Sequence, residues 1–153
     1  MNGLAEIRCE RLRDLGAPEL ALLVAESEQA GLSLVRKLVD EWRDGSNAFH
    51  RPGEAVFGAR VDGRLVGVCG LNVDPYAGDD RIGRVRHLYV LNAARRLGVG
   101  RALMAEIVGA ARGRFGTLRL STSNPAAARL YESLGFLPMT ADHCTHLMTL
   151  PRA

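Results

Sequence analysis

Apolar residues recur at helical spacing from Pro18 to Ala30, where Leu20, Leu23, Val24 and Ser27 share one face and Gly31 stands as a C′ stop. A second helix is predicted from near Ser33. It buries Leu34, Val35, Leu38, Val39 and Trp42 before Asp44-Gly45-Ser46-Asn47 breaks it, leaving residues 44–53 as a loop. The period then changes to two. Ala55, Phe57, Ala59 and Val61 alternate, Asp62-Gly63 makes a turn, and Leu65 to Val73 form the second strand of a hairpin. A short strand around Ile7 precedes all of these.

The turn-rich segment from Asp74 to Asp80 leads into a strand from Val85 to Leu91. Leu103, Met104, Ile107, Val108 and Ala111 mark a third helix, and Thr117 to Ser121 a short strand. Asn124-Pro125 pairs an N-cap with a proline at the first helical position, opening a helix over Ala126 to Leu134 that stops at Gly135. A last strand, Thr145 to Leu150, follows. This order predicts an α/β fold: four helices covering a mixed, mostly antiparallel sheet of six to seven strands, with one parallel crossover near its middle.

A chain of 153 residues with 47% hydrophobic content suits one domain. Charged residues follow Met1 almost at once, and no apolar run approaches the ~20 residues of a membrane span. The chain therefore reads as soluble and cytoplasmic, with no membrane partner. Cys9, Cys69 and Cys144 have no paired spacing, so reduced thiols are expected. The net charge of +3 rests on arginine, since Lys37 is the one lysine. These charges are dispersed and aromatics are few, which weighs against nucleic acid. Asp142-His143-Cys144-Thr145-His146 gathers metal-compatible side chains, but strand alternation separates neighbours and no companion cluster exists, so no metal is expected. Substrate contact by His143 or His146 stays open.

The chemically suggestive segment is Arg95-Arg96-Leu97-Gly98-Val99-Gly100-Arg101, a glycine turn between a strand and a helix. Backbone amides at such a helix start can face an anion. The dinucleotide fingerprint fails at Leu103 and the NTPase loop fails at Arg101-Ala102. Arg95, Gly98 and Gly100 instead resemble the Arg/Gln-x-x-Gly-x-Gly/Ala signature of the GCN5-related N-acetyltransferases. Leu88-Tyr89-Val90 resembles that family's fourth-strand end. The stretch Asn124-Pro125-Ala126-Ala127-Ala128-Arg129-Leu130-Tyr131 through Phe136 resembles its next helix.

The resemblance implies acetyl-CoA as co-substrate, a sheet splayed at its fourth and fifth strands, and transfer of an acetyl group to a primary amine by direct attack. It implies that Leu88, Tyr89 and Val90 contact the donor and that the amides of Arg96, Leu97, Gly98, Val99, Gly100 and Arg101 hold its pyrophosphate. Arg95 or Arg96 would add charge-assisted bonds, and Asn124 would combine capping with donor binding. Tyr131 would protonate the departing sulfur, its phenol being a donor with an ordinary pKa near ~10. Where many relatives carry a glutamate base, this chain offers Arg84, Arg86 and His87, so His87 is the candidate base. Cys69 lies in an apolar run with no basic neighbour, against an acyl-enzyme route. Asp40, Glu41, Asp74, Asp79 and Asp80 could attract a cationic amine. A small-molecule acceptor is favoured over a protein, and a homodimer is common in the family. The competing readings are a non-catalytic acyl-CoA sensor and an RNA-directed acetyltransferase.

Overall fold

A computed structural model describes residues 6–151. The charged amino-terminal stretch falls partly on residues 1–5, which lie outside that range. Element order is β1 (Ile7–Arg11), α1 (Pro18–Gln29), α2 (Leu34–Asp44), β2 (Ala55–Val61), β3 (Arg64–Val73), β4 (Ile82–Val90), a single 3-10 turn (Asn92–Ala94), α3 (Val99–Ala111), β5 (Thr117–Leu120), α4 (Pro125–Ser133), β6 (Leu137–Ala141) and β7 (Cys144–Thr149). The strands form one seven-stranded sheet in the order β1-β2-β3-β4-β5-β7-β6. Every neighbouring pair is antiparallel except β4 and β5, as the strand–helix–strand order around α3 requires.

Two apolar layers clamp the sheet. On one face α3 buries Val99, Leu103, Met104, Ile107 and Ala111 with Leu118, Leu120 and Phe136. On the other, α1 and α2 bury Leu20, Leu23, Val35 and Leu38 with Phe49, Val68 and Tyr89. Leu23, Leu38 and Leu103 are fully inaccessible, each contributing about 1.5–3 kcal/mol by transfer from water. Gly67 allows α3 to seat closely, because a Cβ there would stand 2.9 Å from Val99 Cγ1. That closeness brings the amino terminus of α3 against the middle of the sheet.

The sequence pattern missed β6. Leu137–Ala141 is exposed along its whole length and contains Pro138, so it shows no alternation. It is a strand because it pairs with β7 across the Asp142-His143 turn. β4 also begins three residues earlier than its hydrophobic pattern suggested, at Ile82.

Candidate active site

The glycine turn is built from backbone. Arg96 and Gly98 both adopt left-handed conformations, φ +72° and +90°, and Gly98 caps α3. The first intrahelical bond runs from Ala102 N–H to Gly98 O. The amides of Val99, Gly100 and Arg101 therefore lack helical partners at the positive end of the dipole. Alternating left-handed residues ahead of such a terminus form a concavity suited to an anion. The arginines around it differ. Arg95 folds back, donating Nε–H to Val90 O at 3.0 Å, and its guanidinium lies 5.5 Å from the Tyr89 ring centroid. Arg101 donates to Ser133 Oγ on α4. Leu97 is exposed, while the Val99 side chain is core.

The turn opens onto a wedge in the sheet. β4 and β5 pair only at Ile82↔Thr117, Gly83↔Leu118 and Arg84↔Arg119. From Val85 to Val90, β4 has no parallel neighbour. Leu91 N–H donates to Val66 O on β3, so strand alternation turns the Val90 amide, and two residues back the Leu88 amide, toward the open edge. Tyr89 points elsewhere. Its side chain is buried against α1, where its hydroxyl donates to Glu26, which also accepts from Asn92 N–H. Burial, then Glu26, push the Tyr89 phenol up to about 12. Tyr89 thus anchors α1 to the strand end through its phenol, while the residue also lines the cleft.

A cleft of about 800 Å³ runs through the wedge and joins the α3 turn to Leu88, Val90, Asn124 and Tyr131, within the range of small-molecule sites. A smaller hollow of about 250 Å³ lies beside α2, between Arg13, Trp42 and His50, and shares none of these residues. In the main cleft, Asn124 Oδ1 accepts from Ala126 and Ala127 amides as the α4 cap, which leaves its amide nitrogen for other partners. Tyr131 is 6% exposed and packs edge-on against Phe136. Desolvation pushes its phenol well above the ordinary range, and neighbouring Cys69 adds to that. The phenol therefore keeps its proton at every working pH. Burial likewise raises the Cys69 thiol far above its usual value, so it is an inert, protonated group.

His87 occupies a bulge. Gly70 pairs with Arg86 and Val68 with Tyr89, so His87 and Leu88 together oppose Cys69, and His87 takes φ +62°. Its ring meets Phe49 edge-on. Burial, then the positive charges of Arg86 and Lys37, lower its pKa to about 3. The imidazole is neutral and its buried Nε2 has no hydrogen-bond partner. Such a ring accepts a hydrogen bond well but removes a proton from an ammonium poorly.

Beyond His87 the cleft mouth is held by a charge cluster. Asp74, fully buried, faces Arg84 and Arg119 at 3.4 Å each. Arg84 also donates to His143 O at 2.7 Å and lies 4.9 Å from the Tyr76 ring centroid, and Tyr76 stacks on His143. Asp74 is therefore no bait for a cationic amine, and Asp40, Glu41, Asp79 and Asp80 do not line the cleft either. His146 is buried between Thr145 Oγ1 and Glu132, away from substrate space. The α1–α2 connection and the start of α2 line the mouth through Ala30, Leu32 and Leu34. The 44–53 loop contributes only Phe49, from behind His87. Tyr76 and Thr122 line the cleft and Glu26 ties down the strand end behind it, roles that the sequence did not single out. Glu26 lies 63 residues from Tyr89, on a helix whose polar positions look merely solvated.

The acetyltransferase (GNAT) family model matches residues 18–136. The chain belongs to this family. Acetyltransferases of the family use acetyl-CoA, and the unpaired amides of the α3 turn, opening on a wedge of free strand edge, suit a pyrophosphate with an extended arm. The chain is 38% identical over 100 residues to the N-alpha-acetyltransferase RimI of Mycobacterium tuberculosis (strain ATCC 25618 / H37Rv), a match spanning 58% of this chain and 58% of that relative. A protein named as an acetyltransferase from Exiguobacterium sp. 255-15 superposes with a TM-score of 0.83 at 30% identity, over 94% of this chain and 93% of that one. The fold is shared with an acetyltransferase from Salmonella typhimurium solved with its cofactor acetyl-CoA, TM-score 0.71 at 15% identity over 96% and 95% of the two chains. Among the described residues no helix is long and apolar enough to cross a membrane.

Proposed function

We propose that this chain is a single-domain, acetyl-CoA-dependent N-acetyltransferase that passes the acetyl group directly to a primary amine of a small molecule. The observation that carries the reading is the wedge between β4 and β5, opening in one cleft onto the free amides of α3. Acetyl-CoA supplies an activated thioester; the chain supplies position and protons. The amides of Val99, Gly100 and Arg101, with the exposed Arg96, hold phosphate. The Leu88 and Val90 amides on the open edge are placed to donate to a carbonyl oxygen as charge develops there. The amine nitrogen forms its bond to the acetyl carbon as the carbon–sulfur bond breaks. The sulfur leaves toward Tyr131, whose retained proton it can take. The nitrogen's surplus proton passes to water, which returns a proton to Tyr131.

Similarity to RimI favours a second acceptor, the α-amine of a polypeptide. The test is calorimetric titration of acetyl-CoA into wild type and Gly98→Glu/Gly100→Glu, followed by thiol release with an amine panel on wild type and Tyr131→Phe. Tight binding abolished by the glutamates, with turnover lowered in Tyr131→Phe, supports the reading. No binding by folded wild type overturns it.

A further inference from the structure

We infer that the acceptor is a small amine that also carries a carboxylate, and that the Arg86 guanidinium binds that carboxylate. The inference rests on the acetyltransferase reading above and names the substrate class of that same cleft.

Among the described residues no acidic side chain lines the cleft, whereas five arginines do. Three of them, Arg95, Arg96 and Arg101, belong to the α3 turn. At the opposite mouth stand Arg84 and Arg86. Arg84 is fully engaged by Asp74, His143 O and the Tyr76 face. Asp74 is shared with Arg119, so one carboxylate already serves two guanidiniums. Arg86 is half-buried and has no ion pair or hydrogen bond among the described residues. A guanidinium that lines a cleft with no protein anion beside it is free to take an anion from a ligand, and its planar fork matches a carboxylate.

Register places Arg86 close to the chemistry. Arg86 stands two residues past Arg84↔Arg119, the last parallel pair, at the start of the wedge. Leu88, whose amide faces the open edge, is two residues further, roughly 7 Å along the strand. Between them, the His87 ring is packed against Phe49 and its Nε2 is buried. An amine attacking beside the Leu88 edge and an acid held at Arg86 therefore lie only a few bonds apart, as in an amino acid. A diamine or polyamine would instead bring its second cation against Arg84, Arg86 and Lys37, whose fields reach His87.

The experiment compares matched acceptors: free amino acids, their carboxamides, and diamines, with wild type, Arg86→Gln and the surface control Arg112→Gln. Wild type is expected to favour acids over amides by about tenfold or more in kcat/KM, and Arg86→Gln to erase that ratio through KM while Arg112→Gln retains it. Glutamyl and glutaminyl peptide amides separate a free acid from an acidic polypeptide start; preference confined to the peptides overturns the small-molecule assignment. Titration of N-acetyl amino acids and their amides repeats the contrast without turnover. Equal handling of acids, amides and diamines, or a preference that Arg86→Gln leaves intact, overturns the inference while acetyl-CoA binding still stands. Failure of folded wild type to bind acetyl-CoA defeats the acetyltransferase reading itself, and this inference with it.

Discussion

The two ends of the cleft are made of different materials. At the α3 turn the donor end consists of backbone: left-handed Arg96 and Gly98, and three amides without helical partners. At the β4 mouth the acceptor end consists of side chains: Arg84, Arg86, His87, Tyr76 and the buried Asp74. Backbone amides recognise phosphate whatever the neighbouring side chains are, so this end can stay constant while acceptors change. Side-chain recognition depends on which residues meet, so in the proposed function that end sets the specificity.

Gly98→Glu/Gly100→Glu should produce the largest effect. It forces an L-residue to φ +90° and puts two carboxylates where phosphate must sit, at a cost of several kcal/mol. Calorimetry should show acetyl-CoA affinity reduced by about a thousandfold, with unchanged far-UV circular dichroism. A fold that collapses as well would erase the contrast between the two ends.

The acceptor end should respond in stability instead. Asp74→Asn leaves Arg84 and Arg119 without their shared, fully buried anion and should cost about 3 kcal/mol in urea unfolding, with acetyl-CoA affinity nearly retained. Tyr131→Phe removes the proton donor between the two ends. It should lower kcat by roughly a hundredfold at little cost to acetyl-CoA binding, and an unaltered kcat would return Tyr131 to a packing role.

The smallest effect is a pH dependence. His87 titrates near pH 3 when folded, below its ordinary value of about 6.5, so the unfolded chain takes up the proton first. The stability this residue allows is fully present above about pH 6.5 and falls by roughly 1.4 kcal/mol per pH unit as pH drops toward 3. Urea midpoints between pH 7.5 and 5 should show that slope, and His87→Leu should flatten it. Wild type with no change between pH 6.5 and 5 would mean that His87 is not buried neutral.

The donor end was legible because its physics is local. A turn that needs a left-handed residue before a helix announces itself as Gly98, and Asn124-Pro125 announces α4, whose cap bonds form as expected. The helices and the β2–β3 hairpin followed from periodicity for the same reason. β6 was not legible, since an exposed edge strand carries no burial pattern and exists through its pairing with β7.

The roles of Tyr89, Asp74 and His87 were hidden for a related reason. Glu26 meets Tyr89 across 63 residues, Asp74 meets Arg119 across two strands, and a one-residue bulge aims His87 at Phe49. By itself the sequence determined every α-helix and strand but β6, the glycine turn and the family resemblance, because propensity, capping and left-handed turns act within a few residues. Only the tertiary structure decided which charges are spent on one another and which, like Arg86, are left facing the cleft, because Coulomb and desolvation energies depend on distances that the chain order does not contain.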